Sequence, residues 1–283
     1  MLDAHVNSPV RRVVLVVLDG LRPDAVRRFE LLHFLRLAQR GSSTFSAQTV
    51  NPSVTACAMA SLLTGASPER HGLRGERFFL PNLRATLHPL PRVLAQHAQP
   101  TSVFLSKVPP LWTGLAHRIA SFLGVGEARF AGERALEVLA AAQRNIETQT
   151  RGLILLHWLD ADRAGHEHGW MSPEYAAAAR AMDHALGFLV SILDLVDPST
   201  LLIAMADHGG GGVDLKHHNS DHPADRTIPV VLAGGAVTPG GLGHGVSLLD
   251  VPATVLWALG LPVPESYAGR ALTQAFQALP VAA

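Results

Sequence analysis

Asp and His residues follow three apolar runs that the sequence predicts to be strands. Val13–Leu18 precedes Asp19, Leu153–His157 precedes Asp160 and Asp162, and Leu201–Ala206 precedes Asp207-His208. In open α/β sheets, ligands gather at the carboxyl ends of the strands. Carboxylate oxygens and imidazole nitrogens suit zinc, and also manganese. The pattern therefore predicts a metal site in one crevice, built from residues far apart in the chain.

Asp162 and His166 are four residues apart, with Gly165 between them. A tight turn would let both side chains reach one cation. The alternative is that Asp162 caps the following segment beside a surface histidine.

Asp207 and His208 are adjacent and are followed by the glycines Gly209–Gly212. Neighbouring side chains on a strand point to opposite sides, so both can bind one ion only if the strand has just ended. The glycines would supply that irregular backbone. A flexible glycine loop beside a solvated Asp and His is the alternative.

Three further histidines, His217, His218 and His222, lie on the loop before the predicted strand Ile228–Leu232. Loops at strand ends usually carry function rather than packing. One of the three is expected to complete a metal site, but their spacing does not select which one.

Thr55 begins a stretch with the composition of a buried helix, Thr55–Leu63, just after Pro52. At a helix N-terminus, free N–H groups and the helix dipole stabilise negative charge. This position would suit both an alkoxide nucleophile and a bound phosphoryl oxygen. Ordinary N-capping by Ser53 or Thr55 is the alternative.

The remaining pattern alternates strands with helices. Further strands are predicted at Ser102–Leu105 and Ile228–Leu232, and helices at Asp24–Arg40, Arg129–Ile146, Pro173–Leu195 and Leu249–Leu259. Alternation of this kind predicts an α/β fold with a mostly parallel central sheet and helices on both faces. We expect one catalytic domain over residues 1–283, in which the Pro-rich segment 81–126 could form a small cap or lid.

Composition excludes several classes of partner. The 283 residues are 48% hydrophobic, and 23 Lys and Arg balance 23 Asp and Glu, so no overall field attracts nucleic acid or an anionic membrane. The single Cys57 cannot form an intrachain disulfide, and Val13–Leu18 is too short for a membrane span. We therefore expect a cytoplasmic protein with a small-molecule partner. Its oligomeric state cannot be read from the sequence.

Taken together, the motifs resemble the type I phosphodiesterase/nucleotide pyrophosphatase family of the alkaline phosphatase superfamily. The matching segments run in order: Asp19–Asp24, Pro52–Thr55, Leu63–Gly65, Ser67–Gly72, Asp162–His166, Asp207–Gly209, Pro223–Pro229 and Leu248–Thr254. The resemblance implies an alkaline-phosphatase-like three-layer sandwich. It also implies a metal-dependent hydrolase of phosphate esters, of the phosphodiesterase or nucleotide pyrophosphatase type.

The resemblance further implies two metal ions, usually zinc, with manganese as the alternative. The implied ligands are Asp19, Thr55, Asp207 and His208 for one ion, and Asp162, His166 and His218 for the other. His218 follows from counting back from Pro223, although Asn219 replaces the usual glycine after it. His217 and His222 remain alternatives.

The implied nucleophile is Thr55, through a phospho-threonine intermediate. A phosphonate or phosphomonoester hydrolase would use the same groups. A sulfatase is less favoured because those enzymes modify a Cys or Ser followed by Pro-x-Arg, a pattern that Cys57 lacks. A metal-binding protein without turnover is the alternative from another class.

One departure from the family concerns the substrate. Glu76 lies five residues after His71, where family members commonly have an Asn that contacts the phosphoryl group. Glu76 is therefore the candidate substrate-binding residue, with Asn82 as a less favoured alternative. A carboxylate there would repel phosphate unless it is protonated, paired with Arg74 or Arg77, or turned away.

Overall fold

The computed structural model, which describes residues 8–75 and 86–277, contains one sheet of eight strands. The strands are β1 (Arg12–Leu18), β2 (Ser42–Gln48), β3 (Thr101–Leu105), β4 (Glu127–Phe130), β5 (Gly152–Trp158), β6 (Thr200–Met205), β7 (Thr227–Ala233) and β8 (Gly240–Gly241). Their order in the sheet is β4-β3-β5-β1-β6-β7-β2-β8. Only β7 runs antiparallel to its two neighbours, and the other described pairs are parallel.

The three central strands, β5, β1 and β6, are buried along almost their whole length. Their apolar, largely unalternating sequences match a sheet that is covered on both faces. Leu18 of β1 lies opposite Trp158, and Val17 lies opposite Met205. The three strands therefore end at nearly the same level, and the residues that follow them emerge at one edge of the sheet.

Two groups of helices cover the sheet. The helices are α1 (Pro23–Arg28), α2 (Leu32–Arg40), α3 (Thr55–Thr64), α4 (Pro68–His71), α5 (Leu90–Gln96), α6 (Pro110–Leu123), α7 (Ala135–Thr148), α8 (Asp160–His168), α9 (Pro173–Ile192), α10 (Pro223–Arg226) and α11 (Asp250–Ala258), with a 3-10 turn at Thr273–Ala275. Helix α9 contacts α2, α7 and α8, whereas α3, α5 and α11 contact one another. The arrangement is the predicted three-layer α/β fold. Among the described residues, every helix is too short or too polar to cross a membrane.

Most of the predicted elements are present, and three need correction. The predicted helix Asp24–Arg40 is two helices, because Glu30 has a positive φ of 52° that breaks the helix between α1 and α2. The helix predicted to begin at Arg129 begins at Ala135, since Arg129 lies in strand β4. The tight turn expected at Asp162–His166 is the middle of helix α8.

The segment proposed as a cap or lid, 81–126, supplies parts of the sheet and its helix layer. From Leu90 onward it forms α5, β3 and α6, and β3 pairs directly with β5. Residues 81–85 lie outside the described residues. The proposals of one domain and of a lid remain predictions.

Candidate functional site

The candidate site lies where β5, β1 and β6 end. Asp19 follows β1 directly, Asp207 lies two residues after β6, and helix α8 starts two residues after β5. Because these strands are neighbours and end level, their acidic side chains meet in one place. Two groups of side chains there have ligand atoms within 4.8 Å of one another: Asp19, Asp207 and His208, and Asp162, His208 and His218.

Asp19 is fully buried and contacts two histidines and the predicted nucleophile. His208 Nε2 lies 3.1 Å from Asp19 Oδ1, and His157 Nε2 lies 2.9 Å from Oδ2. The Thr55 hydroxyl oxygen lies 3.4 Å from both carboxylate oxygens and 3.0 Å from His208 Nε2. Asp207 Oδ2 is 3.6 Å from the same histidine nitrogen. The four residues predicted for the first ion are therefore adjacent.

The residues predicted for the second ion are also adjacent. Asp162 and His166 are one helical turn apart on α8, so they lie on the same face. The Asp162 Oδ1 atom lies 3.5 Å from His166 Nε2 and 3.7 Å from His218 Nε2. His218 is buried, and its ring stacks on His208 with centroids 4.0 Å apart. His208 thus lies between the two groups.

Backbone carbonyls fix the tautomers of His166 and His218. His166 Nδ1 is 2.8 Å from the Lys216 carbonyl oxygen, and His218 Nδ1 is 2.6 Å from that of Ser53. A carbonyl only accepts, so each Nδ1 carries the proton and donates it. The Nε2 atoms, 3.0 Å apart, then direct lone pairs toward each other and toward Asp162. A cation among these three groups would remove the repulsion.

In the other group, His208 also has a backbone carbonyl beside its Nδ1. Its Nδ1 is 2.7 Å from the Gly209 carbonyl oxygen, so in the neutral ring Nε2 is free to bind an ion beside Asp19. The buried oxygens Asp162 Oδ1 and Asp207 Oδ2 have no hydrogen-bond partner among the described residues. Both donor sets contain oxygen and nitrogen atoms that suit zinc or manganese. The residues present therefore fit two divalent ions.

Two carboxyls and two histidines of the site have strongly shifted pKa values. Burial, together with the charge of Asp19, raises the pKa of Asp162 to about 8 and that of Asp207 to about 6. Burial opposes ionisation of His208, but Asp207 and Asp19 raise the pKa of His208 well above its ordinary value. Burial and the neighbouring His208 lower the pKa of His218 to about 3, so its ring is neutral and free to act as a ligand.

Thr55 is the first residue of α3, a ten-residue helix. The first N–H groups of a helix lack partners within it and stabilise negative charge. Thr55 also lines a pocket of about 450 Å³ together with Val54, Ala56, His166, His217 and His218. An anionic ligand in this pocket would contact the hydroxyl, the helix N-terminus and the donor groups at once.

The other predicted residues lie beside the donor groups, away from them, or outside the described residues; the His217 ring lies 6.0 Å from that of His166, centroid to centroid. His217 is exposed and lines the pocket, with its Nε2 3.9 Å from Asp214. His222 uses Nδ1 to accept a hydrogen bond from the Ala224 backbone at the start of α10. Glu76, the candidate substrate contact, and its alternative Asn82 lie outside the described residues.

Sequence reasoning overlooked His157. It is the penultimate residue of β5 and lies opposite Val17, and Asp19 lies two residues beyond Val17, on the same face of the sheet. The period of two could therefore have placed His157 beside Asp19. Trp170 and Tyr175, which both donate to the Gly20 carbonyl, carried no comparable sequence signal.

The fold is alkaline-phosphatase-like. The chain is similar to murine ectonucleotide pyrophosphatase / phosphodiesterase 5, with a TM-score of 0.72 at 14% identity, covering 94% of this chain and 100% of that one. It is also similar to a variant of the alkaline phosphatase PafA, with a TM-score of 0.73 at 12% identity, covering 96% and 100%.

The profile of type I phosphodiesterase / nucleotide pyrophosphatase matches residues 13–126 and 112–240, and the chain belongs to that family. It is 26% identical to human GPI ethanolamine phosphate transferase 2, catalytic subunit, over 95% of this chain and 28% of the relative. It is 25% identical to rat ectonucleotide pyrophosphatase/phosphodiesterase family member 1, over 73% and 24%. The Sodalis glossinidius phosphopentomutase is 35% identical, over 42% and 27%. The chain thus spans less than a third of each relative, and the family and these relatives indicate a phosphoryl-transferring enzyme.

Proposed function

We propose that this protein is a metal-dependent hydrolase of phosphate esters, acting on phosphodiesters with Thr55 as the nucleophile. The observation that carries the proposal is the position of the Thr55 hydroxyl. It lies at the N-terminus of α3, 3.0 Å from His208 and 3.4 Å from Asp19, and faces an open pocket. Family membership supports phosphoryl transfer as the chemistry.

Two sets of residues would hold the ions. Asp19, Thr55, Asp207 and His208 would bind one, and Asp162, His166 and His218 would bind the other. His218 is preferred over His217 and His222 because its Nε2 faces Asp162 and His166. When bound, two zinc or manganese ions would lower the pKa of the hydroxyl and neutralise charge on the phosphoryl oxygens.

Thr55 would lose its hydroxyl proton to solvent in the open pocket and attack phosphorus in line with the leaving group. The Oγ–P bond forms as the bond from phosphorus to one ester oxygen breaks. The leaving alkoxide takes a proton from solvent and departs as an alcohol, and the other ester group stays on the phosphoryl group bound to Thr55. The α3 N-terminus stabilises the negative phosphoryl oxygens. Water then attacks phosphorus of the phospho-threonine, the Oγ–P bond breaks, Thr55 regains its hydroxyl proton, and a phosphomonoester is released.

Transfer to an alcohol is a second candidate for the last step. The human relative that is aligned over 95% of this chain is named an ethanolamine phosphate transferase. Water and an alcohol would attack the same phospho-threonine, so the two reactions differ only in the acceptor. Turnover in the presence of ethanolamine or glycerol, with analysis of the products, would separate them.

The nucleophile is tested with Thr55→Ala. The zinc- or manganese-loaded protein should hydrolyse an aryl phosphodiester, and chelation should abolish the reaction. Thr55→Ala should still bind ions but lose turnover by about three orders of magnitude or more. Thr55→Ser keeps a hydroxyl and is the matched control: it should retain activity, and acid-quenched protein should carry a phosphorylated peptide that contains residue 55.

Undiminished activity of Thr55→Ala would contradict the nucleophile assignment. The same preparation should be screened against phosphomonoesters, phosphonates and sulfate esters, which share the required metals and nucleophile. A preference for sulfate esters would contradict the proposed substrate class.

A further inference from the structure

Trp170 lies in the loop between α8 and α9 and is only 3% exposed. Its backbone N–H donates to the Leu215 carbonyl, which anchors it to the loop that carries His218. Apart from the start of α3, which carries Thr55, its side chain contacts every segment that carries or adjoins the other candidate ligands. These are the turn after β1, helix α8 and the glycine loop after β6.

The indole N–H binds the turn that carries Asp19. Trp170 Nε1 donates to the Gly20 carbonyl at 3.0 Å, and the Tyr175 hydroxyl donates to the same oxygen at 2.8 Å. On its other side, Gly20 donates its N–H to Asp207 Oδ1 at 3.3 Å. The Gly20 carbonyl is therefore held by two donors on buried aromatic side chains.

The indole ring packs against two histidines of the second donor group. Its edge-to-face contacts have centroid distances of 5.2 Å to His166 and 5.6 Å to His218. Since the Nε2 atoms of both histidines face Asp162, the ring restricts the directions in which their lone pairs point.

Glycines surround the indole where any other residue would collide with it. A Cβ atom on Gly165 would lie 2.6 Å from the ring, and one on Gly210 would lie 2.1 Å from it. At Gly211 the added atom would lie 2.5 Å from Trp170 Cβ. The backbone of helix α8 and of the glycine loop therefore packs directly against Trp170, with no side chain between them.

We propose that Trp170 is a positioning residue that, with the Tyr175 hydroxyl, fixes the separation of the two donor groups. It binds the turn of Asp19 through its N–H and the rings of His166 and His218 through its face and edge. The proposal rests on the proposed two-ion function. It goes beyond that function in assigning the spacing of the ions to a residue that binds neither.

The test compares Trp170→Phe with Trp158→Phe. Trp170→Phe keeps an aromatic ring but removes the N–H donated to Gly20, and it should weaken binding of at least one ion by about tenfold or more. Trp158 is fully buried at the end of β5, and its Nε1 has no described partner, so Trp158→Phe removes similar atoms without that bond. Its ion affinity should equal that of the wild type. Titration calorimetry with Mn²⁺ gives stoichiometry and affinity, and thermal unfolding in chelator gives the cost in stability.

Equal ion affinity in Trp170→Phe and the wild type would overturn the proposal, as would the same loss in Trp158→Phe. If Trp170→Phe fails to fold, Tyr175→Phe removes the other donor to Gly20 and keeps its ring. Unchanged ion affinity in that variant would then overturn the proposal. A wild-type protein that binds no ions would instead contradict the two-ion function itself.

Discussion

At the scale of single residues, the tautomers of three histidines favour ion binding. A carbonyl oxygen beside Nδ1 turns the Nε2 lone pair of His166, His208 and His218 toward carboxylates. Burial and the charge of Asp19 raise the pKa values of Asp162 and Asp207, so these carboxyls hold protons more readily when no cation is bound. His157 differs from these three histidines because its Nε2 donates a hydrogen bond to Asp19 Oδ2 instead of presenting a lone pair.

Single alanine substitutions should separate the three histidines of the loop. His218→Ala should lose one ion per chain, because it removes the nitrogen that faces Asp162 at 3.7 Å. His217→Ala and His222→Ala should retain two ions, since His217 is exposed and His222 caps α10. Elemental analysis after reconstitution and gel filtration measures the stoichiometry. Loss of an ion from His217→Ala or His222→Ala, with full occupancy of His218→Ala, would move the ligand to that residue.

At the scale of elements, the central strands were predictable and helix α8 was not. Continuous apolar runs such as Val13–Leu18 have few alternatives to a strand buried on both faces. By contrast, α8 is polar and contains Gly165, and its helical state depends on packing against α9. Strand β2 was also missed, because its polar sequence Ser42–Gln48 has no apolar run and forms a strand through pairing with β7 and β8.

The candidate site was predictable to the extent that strand ends determine it. The order of the sheet, which brings β5, β1 and β6 together, made neighbours of Asp19, Asp162 and Asp207. The sequence could not choose among His217, His218 and His222, because a loop has no fixed period. Nor could it predict Trp170, whose contacts depend on three segments at once.

The turn after β1 gives a prediction at this scale. Gly20 has a φ of +69°, and a Cβ atom added to it would lie 2.9 Å from Asp162 Cα. Gly20→Ala should therefore lower the free energy of unfolding by about 1–3 kcal/mol and weaken ion binding, because Asp19 and Asp162 must separate. Gly114→Ala on exposed α6 meets no atom within 4 Å and is the control. It should be neutral or stabilise by up to about 1 kcal/mol. Denaturant unfolding checks both, and equal stabilities of the two variants would refute the close approach.

At the scale of the whole molecule, the proposed ion binding would be coupled to folding. The donor groups come from the turn after β1, from α3 and α8, and from the loops after β6, so a bound ion would join segments from across the chain. Such an ion binds the folded state far better than the unfolded chain and stabilises it by mass action. Removing the ions should lower the melting temperature of the entire protein, not of one segment.

The stability that the ions add should rise with pH, because the carboxyls of the site hold protons in the chelated folded protein. Asp162 keeps its proton in the metal-free folded protein up to a pH of about 8, whereas an Asp in the unfolded chain ionises near 3.8. Between these values the unfolded chain binds fewer protons, so the free energy of unfolding of the chelated protein falls as pH rises. Loss of the proton from His208, whose pKa is also raised, acts in the same direction. A bound ion replaces these protons and removes the loss.

The melting-temperature difference between Mn²⁺-loaded and chelated protein should therefore be larger at pH 8 than at pH 6. One proton less in the unfolded chain costs up to about 1.4 kcal/mol per pH unit, and each kcal/mol corresponds to roughly 2–4 °C for a chain of this size. In chelator, Asp162→Asn removes the titrating carboxyl and should reduce the fall in stability between the two pH values. Differential scanning calorimetry measures both effects. If the chelated wild type is as stable at pH 8 as at pH 6, protons on the ligand residues do not stabilise the ion-free protein, and the prediction is wrong.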